Sequence, residues 1–142
     1  MADEQSTDQF AVQRVLHEYA WACDNGDWDL LSAVFTTDAH LDYSSTGGPA
    51  GGREEVVGWL RESLSQLTVI QHVVSNFQID VEVERAIGRA TFLTFARIPG
   101  LDEMLTTGGY YDLALRRGPD GWKIERLVED NRWMQPTPPR RP

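Results

Sequence analysis

The chain has 142 residues, of which 41% are hydrophobic, and a formal net charge of −9. This length predicts one domain, and the apolar fraction is sufficient for a packed core and too high for a disordered chain. The negative charge argues against nucleic acid and anionic membranes as partners, and no run of about 18 apolar residues predicts a membrane-spanning helix.

The N-terminal residues are polar and acidic and lack the order of charge and hydrophobicity of a signal peptide, so we expect a cytoplasmic protein. The single cysteine, Cys23, has no partner for an intrachain disulfide and is expected to be a small buried residue. The three histidines, His17, His40 and His72, show no paired spacing. We therefore expect neither a metal ion nor another cofactor.

The chain begins with a predicted helix. Apolar residues recur at helical spacing over residues 8–23, and Ser6 or Thr7 is a suitable N-cap. The pair Asn25-Gly26 predicts the end of this helix.

Two further helices are expected in the first half of the chain. Asp27 is a suitable N-cap for a short helix that ends at residues 36–38, and a short strand is expected over residues 39–43. The glycine-rich residues 44–52 lack both phosphate-binding glycine motifs and are expected to form a mobile loop. A third helix is predicted over residues 53–66.

The second half of the chain predicts an antiparallel sheet. Segments rich in β-branched and aromatic residues are separated by the turn signals Pro99-Gly100 and Gly118-Pro119-Asp120-Gly121. Helices followed by strands predict the α+β class, with the helices in the concave face of a curved sheet and a pocket for a small apolar molecule inside the cone. The four predicted strands are 69–84, 86–98, 104–117 and 122–133.

Three groups of residues resemble the nuclear transport factor 2-like superfamily, and within it the SnoaL-like and scytalone-dehydratase-like group. They are Tyr19-x4-Asp24-x-Gly26-Asp27 with Leu31-x2-Val34-Phe35-Thr36-x-Asp38-Ala39; Gln71-His72-x3-Asn76; and Gly108-x-Tyr110-x-Asp112 with Asp120-Gly121-Trp122-Lys123-Ile124 and Arg132-Trp133. The resemblance covers residues 8–134. It implies a cone-shaped α+β barrel as one domain over residues 1–134, with residues 135–142 as an extended or disordered Pro/Arg tail.

The resemblance also implies a set of catalytic residues. Bile-acid dehydratases and scytalone dehydratase carry an Asp–His pair at the positions that match Asp24 and His72. Tyr19 matches a tyrosine of the bile-acid enzymes, and Tyr43 is similar to the active-site tyrosine of scytalone dehydratase. The second histidine of scytalone dehydratase has no counterpart in this sequence.

The residues themselves support proton-transfer chemistry. Histidine titrates near neutral pH, and an aspartate beside His72 would fix its tautomer. Of Tyr110 and Tyr111, one must face inward, because neighbours on a strand face opposite ways. The predicted substrate-binding residues are Trp59, Phe35, Asn76, Phe92, Met104, Tyr110, Arg132 and Trp133.

Three functions remain open at the level of sequence. The first is a cofactor-independent lyase or isomerase, with His72 as general base and then general acid on a small hydrophobic cyclic hydroxy-ketone or polyketide-like substrate. The second is a non-catalytic module that binds a small molecule as a homodimer. The third is a cyclase or an epoxide-opening enzyme of natural-product biosynthesis. A homodimer through the convex sheet face is expected by analogy in all three cases.

Overall fold

The computed structural model describes residues 2–136 as three α-helices and one six-stranded sheet. A turn of 3-10 helix, Ser44–Thr46, follows the first strand. The elements in chain order are α1 (Ala2–Asn25), α2 (Trp28–Ala33), β1 (Phe35–Asp42), β2 (Ala50–Gly52), α3 (Arg53–Ser65), β3 (Val69–Val81), β4 (Arg85–Arg97), β5 (Leu105–Gly118) and β6 (Gly121–Gln135).

The sheet is mixed, with the strand order β2-β1-β6-β5-β4-β3. The four long strands β3 to β6 form the predicted antiparallel meander. β1 joins the sheet by pairing in parallel with β6, and β2 pairs antiparallel with β1. β3 is therefore an edge strand. The predicted α+β architecture is confirmed.

The N-terminal helix is longer than predicted. α1 begins at Ala2, and the Thr7 hydroxyl donates to the carbonyl of Asp3 at 2.8 Å, which is a bond within a helix. Thr7 is therefore inside the helix, and the expected N-cap at Ser6 or Thr7 is wrong. The expected end of the helix at Asn25 is confirmed.

The second helix is shorter than predicted. Asp27 is its N-cap, as expected, and accepts the Leu30 N–H at 3.1 Å. The helix ends at Ala33, and Phe35 already pairs with Ile124 on β6. The β-branched and aromatic residues from position 34 onward favour a strand once β6 is available as a partner.

The sheet has one face toward the helices, which we call the inner face, and one away from them, the outer face. α1 packs on β3 and β6, and α3 packs on β1. Alternate residues of the long strands are buried on the inner face, as expected for a half-covered sheet. The buried inner-face residues include Val74, Ala90, Phe92, Tyr111, Leu113, Leu115, Ile124 and Leu127.

Two further expectations concern the C-terminal tail and membrane-spanning helices. Residues 137–142, most of the predicted Pro/Arg tail, lie outside the described part of the chain. Within residues 2–136, no helix is long and apolar enough to cross a membrane.

Candidate active site

Asp24 and His72 form a carboxylate–imidazole pair. Asp24 lies in the last turn of α1, and His72 lies on β3. Asp24 Oδ1 is 2.6 Å from His72 Nδ1, and the two side chains are only 19% and 7% exposed. A carboxylate at Nδ1 favours the tautomer in which Nδ1 carries the proton, and this leaves Nε2 free to accept another.

The same carboxylate also binds the backbone of β3. The backbone N–H of His72 donates a hydrogen bond to the Asp24 carboxylate, with its nitrogen 3.0 Å from Oδ1 and 2.9 Å from Oδ2. An edge strand otherwise exposes unpaired backbone groups, and α1 supplies a partner for this one. A carboxylate at the C-terminal end of a helix is disfavoured by the helix dipole. The three contacts with His72 offset that effect and fix the position of the dyad.

Two buried tyrosines lie beside the dyad. The hydroxyl oxygens of Tyr19 on α1 and Tyr43 after β1 are 2.5 Å apart. The Tyr19 ring meets Tyr111 edge to face, with 5.5 Å between ring centroids, and the His72 ring at 6.3 Å. The four residues predicted from the sequence, Tyr19, Asp24, Tyr43 and His72, therefore lie together.

Burial raises the pKa of the three inner phenols. Desolvation is the largest cause for the pKa of Tyr19 and of Tyr43, and the nearby Tyr111 raises both further. Desolvation also raises the pKa of Tyr111, and a hydrogen bond with Tyr19 acts in the opposite direction. Neutral phenols can donate protons in hydrogen bonds at neutral pH.

Cys23 lies in the same buried region. Desolvation raises the pKa of its thiol, against the lowering effect of a hydrogen bond with Tyr19. A thiol that resists ionisation is a poor nucleophile. Cys23 is a buried core residue, as expected.

An open groove of about 730 Å³ adjoins the dyad. It runs between the C-terminal half of α1 and the edge strand β3, and Asp24 and His72 are among its lining residues. Trp21 and Val69 are exposed along it. Because Asp24 lies at this groove while Tyr19 is buried behind it, the dyad stands between solvent and the tyrosines.

Three of the predicted substrate-binding residues lie in the same core. Phe35 and Phe92 are buried, and Phe92 stacks on Tyr111 with 4.5 Å between ring centroids. Trp59 is partly buried, and its ring centroid lies 5.5 Å from that of Tyr43. These three residues surround the tyrosines.

Tyr110, Arg132 and Trp133, which the sequence predicted as substrate-binding residues, lie apart from the dyad on the outer face of the sheet. Tyr111 rather than Tyr110 is on the inner face, and the guanidinium groups of Arg89 and Arg132 lie 4.5 and 5.5 Å from the Tyr110 ring centroid on the outer face. Trp133 is opposite Gly108, covers it on that face and is 43% exposed. A bulge in β6 beside Gly108 and Gly109 shifts the register there.

Asn76 and Met104 are also outside the group around the dyad. Asn76 is exposed at an irregularity of β3 and has a φ of 50°, a conformation that asparagine tolerates better than most residues. Met104 lines a separate open cavity of about 480 Å³ near the end of β6.

Sequence reasoning missed one half-buried residue on the inner face of the sheet, Glu129. It lies on β6 opposite Tyr111, and its Oε1 accepts the Thr46 hydroxyl at 2.7 Å. Desolvation raises the pKa of Glu129, while the hydrogen bond from Thr46 and the charge of His72 lower it. Both Leu127 and Val128 are apolar, so alternation along β6 gave no signal for the face on which Glu129 lies.

The described residues offer no cage for a metal ion. Among residues 2–136, no group of three or more His, Cys, Asp or Glu side chains has the geometry to hold one. The polar atoms around the dyad are instead an imidazole, two carboxyl groups and three phenols, which are groups for proton transfer and hydrogen bonding.

Comparison with known proteins gives a family and a fold. Residues 4–128 match the model of the SnoaL-like domain. The uncharacterized protein Rv2910c of Mycobacterium tuberculosis is 34% identical over 124 residues, which cover 87% of this chain and 84% of that protein.

Solved structures have the same architecture at lower identity. A Novosphingobium aromaticivorans protein assigned provisionally as a scytalone dehydratase is 22% identical, with a TM-score of 0.85 over 94% of this chain and 90% of the other. A hexachlorocyclohexane dehydrochlorinase, LinA type 2, is 14% identical, with a TM-score of 0.83 over 94% and 91%. At such identities the likeness is one of fold. The match over residues 4–128 goes further: this chain belongs to the SnoaL-like family, with the fold of the nuclear transport factor 2-like superfamily.

Proposed function

We propose that this protein is a cofactor-independent lyase or isomerase of the dehydratase type. The observation that supports this most is the 2.6 Å contact between Asp24 Oδ1 and His72 Nδ1. A histidine held in this way is a general base whose reactive atom is Nε2. The names of two structural neighbours, a dehydrochlorinase and a provisional dehydratase, both describe eliminations.

In this mechanism, Asp24 and His72 act as one unit. His72 Nε2 removes the proton from the carbon next to a carbonyl group, and Asp24 stabilises the imidazolium that forms. The two hydrogen bonds from the His72 backbone N–H hold the Asp24 carboxylate in place, and its contact with Nδ1 keeps the imidazole from turning away as its charge changes. Asp24 is thus a positioning residue, and His72 is the catalytic base.

Tyr19 and Tyr43 polarise the substrate carbonyl. In the pair, one hydroxyl donates to the other, and the acceptor keeps its own proton for another partner. Because burial raises the pKa of both phenols, that proton is present at neutral pH. A phenol that donates to the oxygen on which charge develops is an oxyanion-hole donor.

The elimination balances with no added reactant. The electrons of the broken C–H bond pass through an enolate into a new C=C bond, and the hydroxyl group on the next carbon leaves with the electrons of the C–O bond. The departing oxygen must receive a proton, and it then leaves as water. In the simplest scheme, the imidazolium of His72 supplies the proton and returns to its starting state.

We propose a small hydrophobic cyclic hydroxy-ketone, or a polyketide-like molecule, as the substrate. The support is the surroundings of the tyrosines, where the aromatic rings of Phe35, Phe92 and Trp59 pack around the phenols. A compound with one carbonyl and one hydroxyl group leaves few polar atoms to satisfy in such surroundings.

A suitable probe is 3-hydroxy-1-indanone, which loses water to give the absorbing ketone 1-indenone. We expect the protein to catalyse this reaction, and His72→Gln to lower kcat by about 10²–10⁴-fold. Asp29→Asn, at an exposed aspartate of α2, is the matched control and should keep wild-type turnover. Equal turnover by His72→Gln and wild type would rule out the proposed base.

A second candidate is binding without chemistry. Its support is that Tyr19 and Tyr43 are only 1% and 2% exposed and do not line the groove beside Asp24 and His72, so a ligand bound in that groove would not contact the two phenols that the catalytic scheme requires. The indanone assay separates the two candidates: a binder would show saturable binding of 1-indanone by calorimetry, with no turnover of the hydroxy compound.

We further propose a homodimer through the outer face of the sheet. Val73, Ile87 and Trp133 are large apolar residues exposed in β3, β4 and β6. Exposed apolar residues on one face are typical of an interface. Sedimentation at micromolar concentration should give a dimer, and a monomer would contradict the proposal. A cytoplasmic location stays a prediction from the sequence.

A further inference from the structure

Glu129 is a half-buried residue of β6 on the inner face of the sheet. It is directly opposite Tyr111 on β5, and residues opposite each other in an antiparallel pair share a face. Tyr111 is buried on the inner face, and so is Leu127, two residues before Glu129 on the same strand. The Glu129 side chain therefore points toward the helices, into the region of the tyrosines.

A network of hydrogen bonds holds this carboxyl group in place. Glu129 Oε1 accepts the Thr46 hydroxyl at 2.7 Å, and the Glu129 carbonyl accepts the Ser45 hydroxyl at 2.7 Å. Ser45 Oγ in turn accepts the Asn131 N–H at 3.1 Å. The turn that follows Tyr43 is thus fastened to β6, and the carboxyl group is fixed relative to Tyr43.

The groups that interact electrostatically with Glu129 are those of the proposed mechanism. The charge of His72 on β3 acts on the pKa of Glu129, and Glu129 in turn raises the pKa of Tyr43 and of Tyr111. Through His72, the carboxylate of Asp24 on α1 belongs to the same set. Glu129 is therefore within electrostatic reach of the base and of two phenols, and it comes from a different strand than the base.

We propose that Glu129 is a second catalytic residue, the general acid that protonates the leaving hydroxyl group. This proposal rests on the function proposed above and replaces only its last step. His72 Nε2 takes the proton from carbon, the C–O bond breaks, and the carboxylic proton of Glu129 passes to the departing oxygen. Water leaves. The imidazolium then returns its proton to the Glu129 carboxylate through solvent, and both residues are restored.

The use of two residues, His72 as the base and Glu129 as the acid, has a geometric reason. A single imidazole that serves as base and then as acid must reach two different substrate atoms in turn. A carboxyl group on β6 and an imidazole on β3 approach the substrate from two sides, so neither has to move. Burial keeps the pKa of Glu129 above its ordinary value, and this favours a protonated carboxyl group before each turnover.

The test uses two probes that differ only in the need for an acid. Loss of water from 3-hydroxy-1-indanone needs a proton on the departing oxygen, whereas 3-chloro-1-indanone releases chloride without one. Glu129→Gln keeps an oxygen that can accept from Thr46 and removes the acidic proton. We expect this variant to lower kcat by about 10²-fold on the hydroxy compound and to stay within about threefold of wild type on the chloro compound.

The control is Glu125→Gln on the same strand, where Glu125 pairs with Arg85 and Arg116 away from the dyad. It should leave both reactions unchanged. An equal loss on both probes, or no loss on either, in Glu129→Gln would overturn the role as acid. His72→Gln should lose both reactions, which separates the base from the acid. If wild type eliminates neither probe, the proposed function itself is wrong and the role of Glu129 is wrong with it.

Discussion

The carboxylate of Asp24 holds His72 at two places, the ring nitrogen Nδ1 at 2.6 Å and the backbone N–H at 2.9–3.0 Å. A side chain that binds both ends of one residue fixes its position as well as its tautomer. The last turn of α1 and the edge strand β3 are joined at the same point. The dyad therefore belongs to the packing of the fold as well as to the proposed chemistry.

Asp24→Asn separates these two roles. The amide oxygen of Asn can still accept the His72 N–H, so we expect a folded protein, but the charge that stabilises the imidazolium is lost. Turnover of 3-hydroxy-1-indanone should fall by about 10²–10⁴-fold. The measurement is steady-state kinetics with circular dichroism as a check of folding. Wild-type kinetics in a folded Asp24→Asn would show that the carboxylate has no part in the reaction.

Tyr43→Phe tests the buried phenol pair. Removal of one hydroxyl leaves that of Tyr19 with one partner fewer, and we expect a loss of about 1–2 kcal/mol in the free energy of unfolding. Because the residues are in contact, the double variant with Tyr19→Phe should lose less than the sum of the single variants. Urea denaturation measures both effects. Tyr110→Phe on the outer face is the control, and strict additivity would contradict the contact.

The buried tyrosines predict how the protein responds to alkali. When folding raises the pKa of an acid, there is a pH range between the unfolded-state and folded-state pKa values. In that range the folded state keeps the proton and the unfolded chain has lost it. Burial raises the pKa of Tyr19, Tyr43 and Tyr111 above the ordinary value of 10.0, so stability should fall as the pH rises through about 10. Phenolate absorbance followed together with circular dichroism tests this: the three phenols should ionise only as the protein unfolds. Ionisation of all four tyrosines in the folded protein would contradict it.

Glu129 predicts a second dependence on pH, near the acidic end. Burial raises the pKa of Glu129 in the folded state above the ordinary 4.5 of the unfolded chain. At a pH between the unfolded-state pKa and the folded-state pKa, the folded state therefore binds more protons than the unfolded state. Stability conferred by this site is therefore lost as the pH rises through that window. Glu129→Gln has no such titration. The free energy of unfolding of this variant, relative to wild type, should increase as the pH rises above 4.5. A constant difference would contradict a raised pKa.

The sequence predicted the antiparallel meander and the meeting of four site residues well, and the reasons differ. The strands β3 to β6 follow from long β-branched segments with clear turn signals. The meeting of Asp24 and His72 followed from the resemblance to a family, since alternation along β3 gave no face for His72.

The differences at Trp133 and Asn76 share one physical cause, which is the register between strands. The bulge in β6 beside Gly108 and Gly109 places Trp133 on the outer face, and the break in β3 exposes Asn76. A shift of one residue moves a side chain to the other face of a sheet, and the sequence gives no local signal for it. Glu129 was missed for the same reason, because its face is set by its pairing with Tyr111.

The central claim is that His72, held by Asp24, removes a proton from carbon. Its most direct test needs no leaving group: exchange of the protons at C2 of 1-indanone for deuterium, followed by NMR in heavy water. Wild type and the control Asp29→Asn should accelerate the exchange, and His72→Gln should return it to the rate in buffer alone. Exchange catalysed by His72→Gln at the wild-type rate would contradict the claim.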